Sequence, residues 1–218
     1  NLIQYSEEYP FSKKFFIKRK KKKIKISIIS DVFKQYKFYD ESIKDEFNIF
    51  CENYLKNLDL MDSKKFQFIN DAHVNHENIY TKSLAYYFKR IANKKKNISS
   101  IMQHMIDSGN KIKKKEYLKS FHIQKTLTNK FDNIMKNCDF LIMPSTASVA
   151  PKIGLKEKED ASLIWTFFGA PSISLPIFYD NKLKLPFGLQ IVARRYNDFL
   201  LLDFAEKITQ KITQSNEK

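Results

Sequence analysis

The side chains able to do nucleophilic, acid–base or ligand chemistry fall in a few places. Ser145, Thr146 and Ser148 form a hydroxyl-rich loop directly after the apolar run 139–143 and Pro144, closed by Ala150 and Pro151. Hydroxyls at the end of a strand are placed to hold a polar ligand group. To act as nucleophiles they need a neighbouring base that takes the proton. Trp165, the one tryptophan, precedes Gly169 and Pro171 by a few residues; it reads either as an aromatic pocket wall or as core beside a sheet. His73, His76 and Glu77 give an HxxH spacing with a carboxylate, a pattern that can ligate zinc. No third and fourth ligand follows at a convincing spacing, so no metal is expected. Ser99 and Ser100 lack flanking glycines and read as a helix N-terminus. His122 reads as a packed or surface histidine. Cys51 and Cys138 belong to different predicted elements and read as two thiols in a reducing cytoplasm rather than a disulfide.

The elements that must position these groups are legible in the same stretch. Three of the four glycines and five of the six prolines lie between positions 138 and 205, and these residues fix backbone conformations that others adopt only at a cost. Run 139–143 reads as a buried strand stopped by Pro144. Run 173–178, interrupted by Pro176, and run 187–193, apolar except for Gln190, read as strands buried on both faces. Residues 200–208 follow with Leu201, Leu202, Ala205 and Ile208 on one side of a helix, capped by Asn197 or Asp198. Further back, 23–30 reads as a strand with one polar face. Residues 40–58, 66–91, 98–107 and 115–137 read as helices, with Ser108, Gly109 and Asn110 as a stop signal. The predicted fold class is α/β: a mixed β-sheet covered by helices, with a basic polar lead-in at 1–22 and a single domain over 23–218.

Composition limits the function classes. With 218 residues and 43% hydrophobic content the chain can bury a sizeable core. No apolar run is long enough to span a bilayer and no signal-peptide pattern opens the sequence, so no membrane partner is expected. The net charge of +15 includes an unbroken basic run at 18–23, yet only four of the 39 basic residues are arginine. Specific phosphate and base contacts favour the bidentate guanidinium; the lysines read as solvated surface, and no specific nucleic-acid partner is expected.

Three segments resemble the amidase signature family. CDFLIMPSTASVAPKIG resembles its D-x-L-x-x-P-T-x-x-x-x-A-P segment, WTFFGAPSISLP its W-T/N-x-x-G-x-P-A-I-S-x-P segment, and LPFGLQIVARRYNDFLLLDFA its L-P-x-G-L-Q-I-x-G-x-x-x-D-x-x-L-L-x-x-A segment. They stand in the family's order with compatible gaps. Ser145 replaces a common threonine and Ala193 a common glycine. The resemblance implies serine acyl transfer at a carboxylic amide C–N bond, without metal or organic cofactor. It implies a lysine base and two serines in a Gly/Ser-rich segment, where glycine lets N–H groups approach an oxyanion and desolvation lowers the lysine pKa.

That segment is missing from this sequence. No GGS, GSS or SGG occurs, and no glycine precedes Gly109. If 23–31 aligns with the strand that follows the catalytic segment, all three residues lie upstream of Asn1, and no catalytic residue is assigned within the chain. The expectation is a C-terminal portion of an amidase domain, inactive alone. Pro144, Ser145, Thr146, Trp165, Gly169 and Pro171 would line the substrate side, with Gly188 and Gln190 structural. The implied partners are an amide substrate in the complete enzyme and an N-terminal amidase half. One alternative is a fragment of the A-type component of a tRNA-dependent amidotransferase, against which Trp165 speaks where asparagine is usual. The other is a non-catalytic partner of a separately encoded amidase half.

Overall fold

A computed structural model of the chain describes residues 23–89, 98–155, 157–158 and 163–216. The lead-in at 1–22 and the basic run at 94–96 lie outside the described residues. The chain divides into two compact units, one made of the residues up to Gln67 together with those from Asp132 onward, the other of Phe68–Phe131.

The first unit is a five-stranded sheet with helices. Its strands are β1 (Lys25–Ile28), β2 (Asp59–Leu60), β3 (Phe140–Pro144), β4 (Ser172–Asp180) and β5 (Leu185–Ala193), in the order β2-β1-β3-β5-β4. β1 pairs parallel with β2 and β3, whereas β5 is antiparallel to both β3 and β4. The sheet is therefore mixed, in line with the apolar runs bounded by glycine and proline. Helices α1 (Glu41–Phe50), α5 (Ile164–Phe168) and α6 (Asp198–Asn216) belong to the same unit.

Strand alternation sends successive side chains to opposite faces. Ile26, Phe140, Ile142, Leu189, Ile191 and Ala193 form one core with Ile43, Phe47 and Phe50 of α1 and Leu201, Phe204, Ala205 and Ile208 of α6. Phe140 lies flat on Phe204 at 4.2 Å between ring centroids. Phe178 stacks on Phe187 at 4.9 Å and meets the edge of Phe50 at 5.5 Å. Leu202, placed on the packed side by its spacing, is 44% exposed, and Phe204 takes that place.

β4 departs from the expectation of burial on both faces. It is the end strand, and Ser172, Ser174 and Pro176 are exposed while the residues between them are not. Pro176 sits in a register irregularity between Leu175 and Phe178, where a missing N–H breaks no ladder inside the sheet. β5 is buried throughout from Phe187. On β1, the buried polar side chain is satisfied: the Ser27 hydroxyl donates to the Met61 carbonyl at 3.0 Å.

The second unit contains α2 (Ala72–Tyr87), α3 (Ser100–Lys111) and most of α4 (Lys114–Ile134). Ser99 caps α3, its hydroxyl accepting from the Met102 N–H at 3.2 Å. Gly109 does not stop this helix, which runs on to Lys111. A Cβ on Gly109 would lie 2.0 Å from the Thr81 carbonyl oxygen and 2.6 Å from its carbon, so the glycine lets α3 lie directly against the backbone of α2. Gly109→Ala is accordingly expected to destabilise this pair by about 1–3 kcal/mol, although alanine alone favours helix by about 1 kcal/mol. Faster hydrogen exchange in α2 and α3 would register the loss; a stabilised pair would contradict the close approach. His76 stacks on Tyr80 at 6.0 Å, and burial lowers its pKa.

Candidate functional site

The polar groups singled out in the sequence converge where β3 ends and β4 and β5 pass. Pro144 is the last residue of β3 and pairs with Leu189, and the Ser145 N–H then donates to the Gly188 carbonyl at 2.8 Å. The ladder thus holds Ser145 one residue beyond the strand. The loop after it is pinned at intervals. The Thr146 hydroxyl donates to the Ser148 carbonyl at 2.7 Å, Ala147 and Val149 are buried, and the Asp40 N–H donates to the Ala147 carbonyl at 2.9 Å. Thr146 is occupied in its own loop, whereas the Ser145 and Ser148 hydroxyls hydrogen-bond to no described residue.

Trp165 approaches from the short helix α5. Ile164, Trp165, Phe167 and Phe168 are all buried. The helix ends because Gly169 adopts φ 60°, with its N–H donating to the Thr166 carbonyl and that of Ala170 to the Trp165 carbonyl. A left-handed residue at this position favours glycine. Pro171 then leads into β4, its carbonyl accepting from the Ala193 N–H at 3.0 Å. Trp165 itself is 2% exposed, meets Phe33 edge to face at 6.1 Å, and donates its indole N–H to the Gln190 carboxamide oxygen at 2.9 Å. Gln190, read from the sequence as structural, has a more specific task. It accepts the indole N–H and so avoids the cost of an unpaired buried donor.

Sequence reasoning missed Ser174. It lies opposite Gln190 in the β4–β5 register, and its hydroxyl, with that of Ser145, surrounds Gly188. The signal was the alternation of serine with Ile173 and Leu175 on an end strand. Among the described residues neither the Ser145 nor the Ser174 hydroxyl hydrogen-bonds to a histidine, lysine or carboxylate. The cluster has hydroxyls without a base: it can bind, and it lacks the pairing that would make either serine a nucleophile. Beyond it Arg195 grips Asp132 with two nitrogens, Nε lying 3.1 and 3.0 Å from the two carboxylate oxygens.

The two cysteines stand apart from this cluster and are free. Burial pushes each thiol from its ordinary 9.0 up to about 12, assisted by Glu52 beside Cys51 and by Asp139 beside Cys138. A raised folded-state pKa gives a contribution to stability that is complete below the unfolded value and lost as pH rises through the folded one. For an acid that is neutral when protonated the loss reflects the cost of burying the thiolate. Stability is therefore expected to fall between about pH 9 and 12. A disulfide reagent at about pH 8, below the ordinary thiol pKa, should reach the buried Cys138 only after urea unfolding, while the half-buried Cys51 reacts earlier; fast reaction of both thiols in the native chain would contradict the burial of Cys138. No helix among the described residues is long and apolar enough to cross a membrane.

The sequence pattern that defines the Amidase family matches residues 12–202. Over 109 residues the chain is 35% identical to the A subunit of the glutamyl-tRNA(Gln) amidotransferase of Pelagibacter ubique, covering 46% of this chain and 22% of that protein. Over 141 residues it is 26% identical to the corresponding protein of Borreliella burgdorferi, covering 58% and 28%. A solved crystal structure of an amidase superposes with a TM-score of 0.70 at 15% identity, over 83% of this chain and 44% of that one. At that identity the likeness speaks for the fold. The matches thus span less than half of the solved amidase and about a quarter of the curated relatives.

Proposed function

This chain belongs to the amidase family, and we propose from that premise that it is the C-terminal portion of an amidase-signature hydrolase. The complete enzyme would cleave carboxylic amide C–N bonds by acyl transfer to a serine, followed by hydrolysis of the acyl-enzyme. The chain supplies the mixed sheet and the substrate side, from Ser145, Thr146 and the Gly169–Pro171 turn, with Trp165 behind them. The lysine base and both serines come from a Gly/Ser-rich segment that this sequence does not contain. The observation that carries the reading is the convergence just described. Three family-like motifs far apart in sequence meet around Gly188, yet among the described residues their hydroxyls have no base. The amide substrate and an N-terminal amidase half are the partners, with no metal or organic cofactor and a cytoplasmic setting.

The experiment is to read the DNA upstream of the Asn1 codon, express the extended frame and measure ammonia or amine release from simple amides. An in-frame lysine and Gly/Ser-rich segment with turnover is the expected result. An extended protein carrying that segment and releasing nothing from any amide would overturn the hydrolase reading.

The curated relatives favour a second reading, in which the complete protein is the A-type component of a tRNA-dependent amidotransferase. Ammonia release from glutamine that depends on the other components would select it over a free-standing amidase. In a third, the chain acts as a non-catalytic partner of a separately encoded half.

A further inference from the structure

Positive charge is unevenly divided between the two units. Residues 68–131 hold 13 basic and four acidic side chains, a net +9, whereas the segments 23–67 and 132–218 that build the sheet unit hold 19 and 18. Ion pairing follows the same division. Lys25–Asp59, Lys44–Glu41, Lys158–Asp40, Arg195–Asp132 and Lys207–Asp203 all belong to the sheet unit. In the second unit Lys114, Lys115, Lys119 and Lys125 of α4 are exposed and pair with no acid among the described residues. Glu116, the acid of that helix's first turn, instead accepts the Lys113 N–H at 2.9 Å. Lys115 and Lys119 stand four residues apart on the helix, a spacing at which like charges repel. An anionic partner would remove that repulsion.

Exposed rings on the same face supply an independent observation. The Ser83 and Tyr117 hydroxyls are 3.2 Å apart, and the Asn78 side-chain amide donates to the Ser120 hydroxyl at 3.2 Å, so α2 and α4 run side by side in opposite directions. Steps of three and four residues share one side of a helix. They put Tyr80 and Tyr87 in line with Ser83, and Lys114, Phe121 and Lys125 in line with Tyr117. Tyr87 is 77% exposed, Tyr80 49% and Phe121 40%, with Phe121 edge-on to Tyr117 at 4.8 Å. Open rings gathered in one strip and rimmed by polar groups mark an interaction site.

We propose that this face of the second unit, Tyr80, Tyr87 and Phe121 flanked by Lys114 and Lys125, binds single-stranded nucleic acid without regard to sequence. The lysines follow the phosphates as point charges, and unpaired bases stack on the rings, which any base can do. Twelve of the unit's 13 basic residues are lysine, whereas sequence-specific base contacts favour the bidentate fork of arginine. A lipid surface suits the strip less well, because Ser83 and Lys114 interrupt the continuous apolar face that would enter acyl chains. The surface belongs to the second unit alone and does not depend on the hydrolase reading.

The test is fluorescence anisotropy of a labelled oligothymidylate titrated with the 218-residue chain at several salt concentrations. Log affinity falls with log salt by roughly 0.7 per phosphate contact on a single strand. Lys114→Gln/Lys125→Gln is therefore expected to flatten that slope by about 1.4. Tyr87→Ala should weaken binding about tenfold at an unchanged slope, and Tyr87→Trp should preserve it. Phe121→Ala should act like Tyr87→Ala; should it misfold, the far more exposed Tyr87 still carries the test. Unchanged affinity in Tyr87→Ala, or an unchanged slope in the lysine variant, would overturn the surface and leave any binding to basic runs outside the described residues. A duplex of the same length bound more tightly than the single strand would also overturn it. So would tighter binding to vesicles of phosphatidylserine and phosphatidylcholine, or to polyglutamate, which would make this face a membrane or protein-docking surface instead.

Discussion

The 218-residue chain by itself is expected to hydrolyse simple amides at least about 10^6-fold more slowly than the completed enzyme. That factor is the loss on removing a whole serine triad from another hydrolase. In that case residual catalysis survives through an intact oxyanion hole. On the proposed reading the glycine-rich backbone that would form the hole comes, with the serines, from outside this sequence. The hydroxyls that remain near the sheet do not compensate. Thr146 is engaged with the Ser148 carbonyl, and neither Ser145 nor Ser174 hydrogen-bonds to a base among the described residues. Ammonia release by the purified chain, abolished by Ser145→Ala or Ser174→Ala, would show that the nucleophile lies in this sequence.

Trp165→Ala is expected to cost about 3–5 kcal/mol of stability, as large aromatic deletions in cores do. The indole is 2% exposed, edge-on to Phe33, and donates to Gln190. Its removal opens a cavity and also strands the Gln190 oxygen, which adds about 1–3 kcal/mol if no water replaces the indole. Trp165→Phe keeps most of the ring volume and deletes the N–H, so its loss should be mainly the hydrogen-bond share. Urea unfolding of both variants, followed by hydrogen exchange in β5, separates the two contributions. A loss below about 1 kcal/mol in Trp165→Ala, together with altered substrate preference in the completed enzyme, would instead make Trp165 a pocket wall.

The mixed sheet is legible in the sequence because its strands are apolar runs between prolines and glycines, and these carry a local signal. Which strand lies at the end of the sheet is not. Run 173–178 reads as fully buried, but its serine faces outward, because strand order is set by pairing between distant segments and not by composition. Gly109 misleads for a related reason. A glycine near a helix end reads as a stop, and only the distance to the Thr81 carbonyl reveals that it makes room for a neighbour. In the candidate site, Ser145 and Gly169 are visible from motif and turn chemistry. Ser174 is not, since its role depends on Gly188 and Gln190 lying across from it on another strand. The hydrogen bond from Trp165 to Gln190 joins residues 25 apart in sequence, a contact no periodicity encodes.

The most direct measurement is the position of the reactive serine. The completed enzyme, treated with a fluorophosphonate and digested, is expected to carry the label on a serine of the Gly/Ser-rich segment, with every serine of residues 1–218 unmodified. Label on Ser145, Ser174 or any other serine of this chain would contradict the proposed division of labour between the five-stranded sheet and a Gly/Ser-rich segment that brings the nucleophile.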